Sequence, residues 1–374
     1  MFTISKKYNR TDREGVQMKV FLKILKAAGF VMVILVLLVS ITLGVFTAAE
    51  YRPAETETVI ADHSVESVLE TGKPLTVVSW NCGYGALGDN ADFFMDGGSS
   101  VYTADKDRVN RNLSDIRDKL SVLQPDFILL QEVDINASRS YGTDERTVLR
   151  EAVPAGACEA FAYNFNALWV PYPVPMIGHV EAGLYTLSTA QARTAERISL
   201  PVPFSWPVRL VNLKRCLLVS RWPVKGTDRE LVLINLHLEA YDSGEGKEAQ
   251  TRRLVSFMQQ EYAKGNYVIA GGDFNQRFTN IDSSAYPVFD GMWQPGEINS
   301  DAFGADFTLL MDNTTPTCRS LDRPWAGARA DGFQFYLIDG FIVSANVTPD
   351  AVETLDFGFT CSDHNPVRMA FTLE

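Results

Sequence analysis

The chain has 374 residues, of which 46% are hydrophobic and 21% are charged. These values are typical of a folded globular protein and exclude a chain that is disordered over most of its length. The formal net charge is −12, but the first 26 residues carry seven lysines and arginines against two acidic residues, so residues 27–374 carry −17. This acidic charge argues against a tight nucleic-acid binder that contacts phosphates, but it is compatible with a site whose carboxylates bind cations.

An apolar segment without charged residues follows this basic stretch. Ala27–Ala49 is long enough to cross a bilayer as a helix. Because the positive charges precede it, the positive-inside rule places residues 1–26 in the cytoplasm and the chain beyond residue 50 outside. A cleaved signal peptide is the alternative, since Thr47–Ala49 fits a cleavage site, but the apolar run is longer than a usual secretory core. We therefore predict an uncleaved, single-pass membrane anchor.

The rest of the chain is predicted to be a linker followed by one globular domain. Residues 50–72 are polar and acidic and have no sustained hydrophobic period, which indicates a linker. Residues 73–374 carry regular patterns of apolar residues and form the predicted domain. No internal repeat divides it, and layered α/β folds often exceed 250 residues as a single domain.

Five widely spaced cysteines occur in this domain, and none is part of a C-x-x-C motif. No zinc site is therefore predicted. Outside the cytoplasm an odd number leaves at least one cysteine free, and the sequence does not assign pairs. We expect buried free thiols at Cys82 and Cys361, which lie at the ends of predicted strands.

Helices and strands are predicted from the spacing of apolar residues. One amphipathic helix ends at Pro125, and a second ends at Gly265. The first carries Val109, Leu113, Ile116, Leu120 and Leu123, and the second carries Leu254, Val255, Met258 and Tyr262. Strands are predicted at Leu75–Asn81, Phe127–Val133, Gly183–Ser188, Lys214–Ser220, Leu231–Leu238, from Tyr267 to the glycines Gly271 and Gly272, and at Tyr336–Ser344. The second helix joins two strands in the manner of a β-helix-β crossover.

The aromatic and proline-rich segment Asn164–Ile177 is harder to interpret. Its second half, Trp169–Ile177, contains too many prolines for a central strand. Two interpretations stay open: an apolar loop beside the functional site, or part of the core.

The predicted strand that begins at Tyr267 ends at two glycines. Two polar residues, Asp273 and Asn275, lie just after these glycines. On an extended chain, Asp273 and Asn275 point the same way because they are two residues apart. A carboxylate beside a carboxamide that can donate is suited to holding a water and a phosphoryl oxygen together. The alternative is an ordinary Asx turn that closes the strand.

Further polar residues lie at the ends of other predicted strands. A carboxylate at the end of an apolar strand is unfavourable unless it is paired or coordinates a metal, although a salt-bridged glutamate is the simpler interpretation. Two of the only four histidines in the chain are in this group, which favours a catalytic role. A layered α/β fold can bring these strand ends together at one edge of its sheets. The residues are Asn81, Glu132, His237, Asp339, Asp363 and His364.

In their order along the chain, these motifs resemble those of the endonuclease/exonuclease/phosphatase superfamily. The chain resembles a membrane-anchored member of a bacterial type. Members of the superfamily include pancreatic deoxyribonuclease, abasic-site endonucleases, inositol-polyphosphate 5-phosphatases and sphingomyelinases. The resemblance covers residues 73–374 and implies an α/β (α+β) fold: a four-layered α/β/β/α sandwich with two central mixed β-sheets, here preceded by one transmembrane helix. The motifs are Trp80-Asn81, Gln131-Glu132, Asn235-Leu-His237, Gly272-Asp-Phe-Asn275, Ile338-Asp339 and Ser362-Asp-His364.

The resemblance also implies a metal site. Glu132 would ligate a catalytic Mg²⁺, or Mn²⁺ in its place, with Asn81 and Asp363 near the metal. Carboxylates and carboxamides are the oxygen ligands that such hard cations prefer.

Catalytic roles follow from the same resemblance. Asp273 would orient or deprotonate the attacking water, and Asn275 would donate to a phosphoryl oxygen. Asp339 would fix the tautomer and orientation of His364, which would lie across the scissile phosphate. His237 would protonate the leaving group or stabilise the developing charge.

The predicted function is therefore extracytoplasmic, metal-dependent phosphoester hydrolysis, with no protein partner evident. The substrate stays open between a phospholipid or other small phosphodiester and nucleic acid. The basic loops that track DNA are not evident, whereas sphingomyelinases of the superfamily carry exposed apolar hairpins, a part that Trp169–Ile177 is able to play. A nonspecific nuclease is the first alternative. A non-catalytic binding module on the same fold is the second, although none of the eight polar residues is missing.

Overall fold

The computed structural model describes residues 10–60, 67–242, 244–330 and 332–374. Residues 1–9 of the predicted cytoplasmic segment and residues 61–66 of the predicted linker therefore lie outside the described residues. The chain divides into two compact units, Met1–Glu50 and Tyr51–Glu374.

The described part of the first unit contains one long helix, α1 (Arg10–Ala48). From Arg13 to Ala48 it is long and apolar enough to cross a bilayer, and its apolar window has no buried residue. The hydroxyls of Ser40, Thr42 and Thr47 donate to the carbonyl oxygens four residues earlier, at 2.8, 2.8 and 2.7 Å. A hydrocarbon environment requires such internal partners for polar groups, so the helix suits a membrane span.

The second unit is built on two large β-sheets. Its helices are α2 (Lys106–Leu123), α3 (Arg146–Leu149) and α4 (Glu245–Ala263). The first nine strands are β1 (Thr56–Ile60), β2 (Leu75–Asn81), β3 (Phe127–Asp134), β4 (Cys158–Val170), β5 (Gly178–Ser188), β6 (Thr194–Ser199), β7 (Cys216–Pro223), β8 (Glu230–His237) and β9 (Tyr267–Asp273). The others are β10 (Gln276–Phe278), β11 (Gly296–Ile298), β12 (Phe307–Leu310), β13 (Cys318–Arg319), β14 (Phe335–Tyr336), β15 (Asp339–Ser344), β16 (Val347–Thr354) and β17 (Val367–Leu373).

Both large sheets are mixed. The seven-stranded sheet has the order β1-β6-β7-β8-β9-β15-β12, and the six-stranded sheet has the order β16-β17-β2-β3-β5-β4. Two further strand pairs, β10-β11 and β13-β14, are separate from them. The predicted strands are therefore confirmed as the central strands of both sheets.

The helices cover the outer faces of the sheets and the inner faces pack on each other. Successive strand residues point to opposite faces, so Val77 belongs to the cluster between the sheets and Val78 to the cluster beneath α2. Leu254 and Met258 of α4 pack likewise on the outer face of the seven-stranded sheet. The predicted four-layered α/β/β/α sandwich is confirmed.

Each sheet contains one central parallel pair, and this arrangement positions the site. β2 pairs in parallel with β3, and β8 pairs in parallel with β9. Parallel neighbours require a crossover, which α2 and α4 supply. Within each pair the carboxyl ends of both strands therefore lie at the same edge, and His237 stands directly opposite Asp273.

The predicted linker is not entirely outside the domain. β1 pairs in antiparallel with β6, with Thr56 opposite Ile198, and extends the edge of the seven-stranded sheet. Leu69 is buried and forms a bridge to Val224. Polar residues suit an edge strand with one solvated face, which is why this segment lacks the signal of a core strand.

Two other boundaries differ from the prediction. The first half of the proline-rich segment belongs to β4, an edge strand, and only residues 171–177 connect β4 to β5. β15 begins at Asp339 instead of running through it, because the Thr317 hydroxyl accepts hydrogen bonds from the backbone N–H groups of Ile338 and Asp339 at 3.0 and 3.2 Å. Asp339 therefore lies at the strand end that faces Asp273.

Candidate active site

Asp273 lies at the centre of a cluster of polar side chains. It ends β9 and is almost fully buried. Its Oδ2 accepts a hydrogen bond from Asn81 Nδ2 at 3.0 Å and lies 3.4 Å from Nε2 of His237. Nε2 of His364 is 3.8 Å from the same oxygen. The structure thus brings together residues from β2, β8 and β9 and from the loop before β17.

The backbone before Asp273 requires glycine. Gly272 has a φ of 149°, and a Cβ at this position would lie 2.0 Å from the carbonyl oxygen of Leu236. The neighbouring strand therefore approaches too closely for any side chain. This contact explains the second glycine of the Gly-Gly-Asp motif.

Glu132 is directed to the cluster by an irregularity in β3. The pairing of β3 with β5 shifts register between Leu130 and Val133, and Glu132 has a φ of 54°. A left-handed conformation at a residue other than glycine costs about 1 kcal/mol or more and is commonly found where a side chain has a functional task. Here it places Glu132 Oε1 3.3 Å from Asn81 Nδ2 and 4.0 Å from His237 Nδ1.

Within the described residues, no lysine or arginine forms a salt bridge with Glu132. Its side chain is 24% exposed, unlike those of Asp273 and Asp339, which are 2% exposed. Glu132 is thus an accessible carboxylate beside a carboxamide, and Asn81 Oδ1 accepts from the Gly83 N–H at 3.0 Å, which fixes the orientation of the amide. The simpler interpretation, a salt-bridged glutamate, does not describe this residue.

Asp339 and His364 form a buried pair. Oδ2 of Asp339 lies 2.9 Å from Nδ1 of His364, so the ring donates Nδ1–H to the carboxylate and directs Nε2 toward Asp273. Burial disfavours the charged ring, but the Asp339 carboxylate outweighs this and raises the pKa of His364 well above its usual range. Trp80 Nε1 donates to the backbone carbonyl of His364 at 2.9 Å and fixes the loop.

His237 has the opposite electrostatic environment. Burial and the nearby guanidinium of Arg215 hold the pKa of His237 well below its usual range, so the ring is neutral. Its Nδ1 is buried and has no hydrogen-bond partner among the described residues. The two histidines of the site therefore differ in charge.

Asn275 differs in detail from the prediction. It lies beyond the end of β9 with a φ of 52°, so it does not extend from the same straight strand as Asp273. Its backbone N–H donates to Asp273 Oδ1 at 2.9 Å, which is the Asx turn of the alternative interpretation, and its Nδ2 donates to the Leu238 carbonyl at 2.9 Å. The turn nonetheless leaves Asn275 on the wall of the same cavity as Asp273.

Asp363 completes the acidic cluster. Burial raises its pKa to about 6, and the charge of Glu132 acts in the same direction. The pKa of Asp273 is raised to about 7, first by burial and then by the charge of Asp339. Burial and neighbouring carboxylates thus raise both pKa values despite the nearby His364, and a bound cation would relieve this.

The residues therefore fit a divalent cation. Among the described residues, two groups of side chains have ligand atoms close enough together to hold one metal ion. Cys318, Asp363 and His364 form one, and Asp273, Asp339 and His364 form the other. Burial raises the pKa of the Cys318 thiol to about 12, which makes it a poor ligand for a hard cation. The second group is held together by the hydrogen bond between Asp339 and the histidine. The partly exposed carboxylate of Glu132 favours the side of the cluster that also contains Asn81 and Asp363.

A cavity of about 300 Å³ opens on this cluster. Of the eight predicted residues, Glu132, His237, Asp273, Asn275, Asp363 and His364 line it. Asn81 and Asp339 are buried behind the cavity wall, where they position Glu132 and His364.

Sequence reasoning missed several charged residues on the cavity wall. Arg215 pairs with Glu239 at 3.2 Å, and Arg139 pairs with Asp134 at 2.9 Å. Arg319 is buried and donates to two backbone carbonyls. Only Glu239 had a local signal, since it follows His237 by two residues at the end of β8. The arginines lie in segments without a motif, so their position depends on the tertiary fold.

The comparison with known families agrees with this geometry. A sequence model of the Endonuclease/Exonuclease/phosphatase family matches residues 78–364 of the chain. The chain belongs to this family. Family membership makes it a metal-dependent phosphoric ester hydrolase. No curated protein matches the chain.

Several solved structures are similar to this chain. An endonuclease/exonuclease/phosphatase from Beutenbergia cavernae DSM 12333 is 16% identical, with a TM-score of 0.54 over 80% of this chain and 72% of that one. A Bacteroides vulgatus protein of the same description is 16% identical, with a TM-score of 0.49. The match covers 81% of this chain and 100% of that one. The human Nocturnin catalytic domain is 16% identical, with a TM-score of 0.48. The match covers 80% of this chain and 95% of that one. At this identity the likeness concerns the fold.

Proposed function

We propose that this family member is an extracytoplasmic phosphodiesterase that depends on Mg²⁺ or Mn²⁺. The observation that carries the proposal is the convergence of Asn81, His237 and His364 on one oxygen of Asp273, at the base of a cavity that also exposes Glu132. A carboxylate, two histidines of different charge and an accessible acidic ligand are the groups that phosphoester hydrolysis requires.

The roles of the residues follow from their positions. Glu132, with Asn81 and Asp363 near it, would hold the cation, which supplies Lewis-acid stabilisation of a phosphoryl oxygen. Asp273 would orient a water and accept its proton as the water oxygen bonds to phosphorus. His364, held by Asp339, would donate from Nε2 to a phosphoryl oxygen.

Bond cleavage completes the step. The bond between phosphorus and the leaving oxygen breaks, and that oxygen requires a proton or a hydrogen-bond donor. His237, whose Nε2 lies 3.4 Å from Asp273 Oδ2, would relay the proton that Asp273 takes from the water to this leaving oxygen. The products are a phosphomonoester and an alcohol.

The charge of the cavity wall favours a small phosphodiester over nucleic acid. Arg139 and Arg215 are each paired with a carboxylate, and Arg319 donates to backbone carbonyls. Two of these three guanidinium groups are therefore already neutralised by a carboxylate, which leaves little positive charge for the row of phosphates that a nuclease needs to contact. A nonspecific nuclease remains the second candidate function because this family includes nucleases.

A substrate panel tests the function. The full chain in detergent is expected to hydrolyse bis(p-nitrophenyl) phosphate with Mg²⁺ or Mn²⁺ and to lose this activity in excess EDTA. Sphingomyelin, lysophospholipid, a phosphoinositide and plasmid DNA are compared under the same conditions. Activity that survives EDTA would contradict the metal requirement, and preference for DNA would favour the nuclease.

The extracytoplasmic location is part of the proposal and rests on α1 and the basic residues before it. If α1 is an uncleaved anchor, the protein is expected to stay in the membrane fraction after a carbonate wash. Residues beyond Tyr51 are then expected to be accessible to external protease. A soluble form that begins near Glu50 would show instead that the helix is a signal peptide.

A further inference from the structure

Exposed apolar residues are concentrated in two connections of the catalytic unit. The end of β4 and the β4–β5 connection expose Leu168, Trp169, Tyr172, Val174 and Met176, and the β6–β7 connection exposes Val202, Trp206 and Val208. These eight residues are here termed the apolar rim. Residues 168–178 and 199–208 contain no charged side chain.

The apolar rim adjoins the active-site cavity. Ile177 lies directly after the first group of rim residues, and Phe204 and Leu213 belong to the connection that carries the second group; all three line the cavity. Val211 and Ile177 pack against the same small apolar cluster, so the two connections are neighbours. The rim therefore lies beside the opening through which a substrate reaches Asp273.

The β4–β5 connection is held in this exposed position. The Tyr102 hydroxyl donates to the backbone carbonyls of Met176 and Ile177 at 3.0 and 3.2 Å. The ring of Tyr172 packs edge-on against Phe94, with 6.2 Å between the ring centroids. Val174, between these two anchoring points, is 88% exposed. An apolar group that is fixed outward and does not fold back indicates a surface that binds a partner.

The chain itself indicates which partner covers this surface. The charge-free helix α1 ends at Ala48, and β1 begins at Thr56. Seven residues lie between them, and an extended chain of this length spans only about 25 Å. The segment that would tether the first strand to a membrane entered by α1 is therefore short. The tryptophan, tyrosine and aliphatic side chains of the rim are suited to a lipid interface.

We propose that the apolar rim docks the catalytic unit on a lipid bilayer and that the cavity takes the phosphoester head group of a lipid from that bilayer. The identity of the substrate rests on the proposed function, whereas the docking surface does not. A substrate with one phosphodiester group and a long apolar remainder matches a cavity that has two arginines paired with carboxylates and an apolar rim beside it.

A fluorescent label tests the docking directly. Val174→Cys and Val122→Cys are labelled with an NBD maleimide in the full chain, which is then reconstituted in phosphatidylcholine vesicles with and without doxyl-labelled lipid. The two valines are 88% and 84% exposed, and the five native cysteines are buried. Val122 is at the end of α2 that leads into the start of β3, opposite the strand end that carries Glu132.

The label at residue 174 is expected to shift its emission to the blue and to be quenched at least twofold more by doxyl lipid than the label at residue 122. Equal quenching at the two positions would overturn the proposal. A blue shift at residue 174 without lipid quenching would also overturn it, because it would show that another protein surface, such as a second copy, covers the rim.

Activity provides a second measurement. Val174→Asp is expected to lower hydrolysis of a lipid phosphodiester in vesicles by about tenfold, because a buried charge is costly at a lipid interface. Hydrolysis of bis(p-nitrophenyl) phosphate should not change, and Val122→Asp should affect neither substrate. Equal activity of Val174→Asp and Val122→Asp on vesicles would contradict the inference. If the unsubstituted chain hydrolyses neither substrate, the proposed function fails, while the label still reports on docking.

Discussion

Replacing Glu132 by glutamine is expected to lower the rate of phosphodiester hydrolysis by more than about a hundredfold. Changes to residues that only support a metal ligand typically cost 10- to 100-fold in metal affinity or activity, so loss of a direct carboxylate ligand should cost more. The substitution keeps the shape and the hydrogen bond with Asn81 but removes one negative charge from a site for a hard cation. The measurement is the rate as a function of Mg²⁺ concentration, with Mg²⁺ binding followed by calorimetry.

Glu230 offers a matched control for this prediction. Its side chain is 18% exposed, compared with 24% for Glu132, and it begins β8, at the opposite end of the strand from His237. Glu230→Gln should weaken contacts with Arg193 and Arg221 and leave Mg²⁺ binding unchanged. If Glu132→Gln binds Mg²⁺ as well as the unsubstituted chain, Glu132 is not a ligand, and the metal must lie elsewhere in the acidic cluster.

The second large effect concerns the buried pair of Asp339 and His364. His364→Ala is expected to lower turnover by about 10²- to 10³-fold, the range for loss of one donor to an oxygen that gains charge in the transition state. Asp339→Asn should also lower turnover strongly, because the ring loses the carboxylate 2.9 Å from Nδ1 that holds its tautomer and charge. The double variant is expected to be little worse than His364→Ala, since residues that act as a unit are not additive.

Another histidine–carboxylate pair in the chain serves as the control. His179 Nε2 lies 3.2 Å from Glu181 Oε1, and both side chains are partly exposed. His179→Ala, Glu181→Gln and their combination should leave turnover of a soluble phosphodiester within about twofold of the unsubstituted rate, because neither residue lines the cavity. Multiplicative losses in the Asp339 and His364 double variant would show that these two residues act independently.

Much of the fold follows from local patterns. The spacing of Val109, Leu113 and Leu120 predicts the face of α2 that packs on the six-stranded sheet, and all three are buried. The strand Leu75–Asn81 has the same bounds in the structure as in the prediction. Such elements are readable because the hydrophobic face of a helix or strand repeats with a fixed local period. Edge strands such as β1 were missed because one face is solvated and the period is weak.

The sequence by itself also indicated eight polar residues as candidates for the site, because each belongs to a short motif at the end of an apolar segment. Only the tertiary structure decided how they meet. The left-handed conformation of Glu132 depends on pairing with β5, and the start of β15 at Asp339 depends on Thr317, a residue without any motif.

The same distinction applies to the cavity and its rim. The sequence showed that Trp169–Ile177 is apolar and rich in proline, but it left open whether the segment is core or surface. The structure exposes Val174 and places Phe204, distant in the chain, on the wall of the same cavity as Ile177. Composition records how apolar a segment is, whereas burial depends on which other segments fold against it. The residue types of the candidate site were therefore determined by the sequence, and the surroundings of that site were decided by long-range packing.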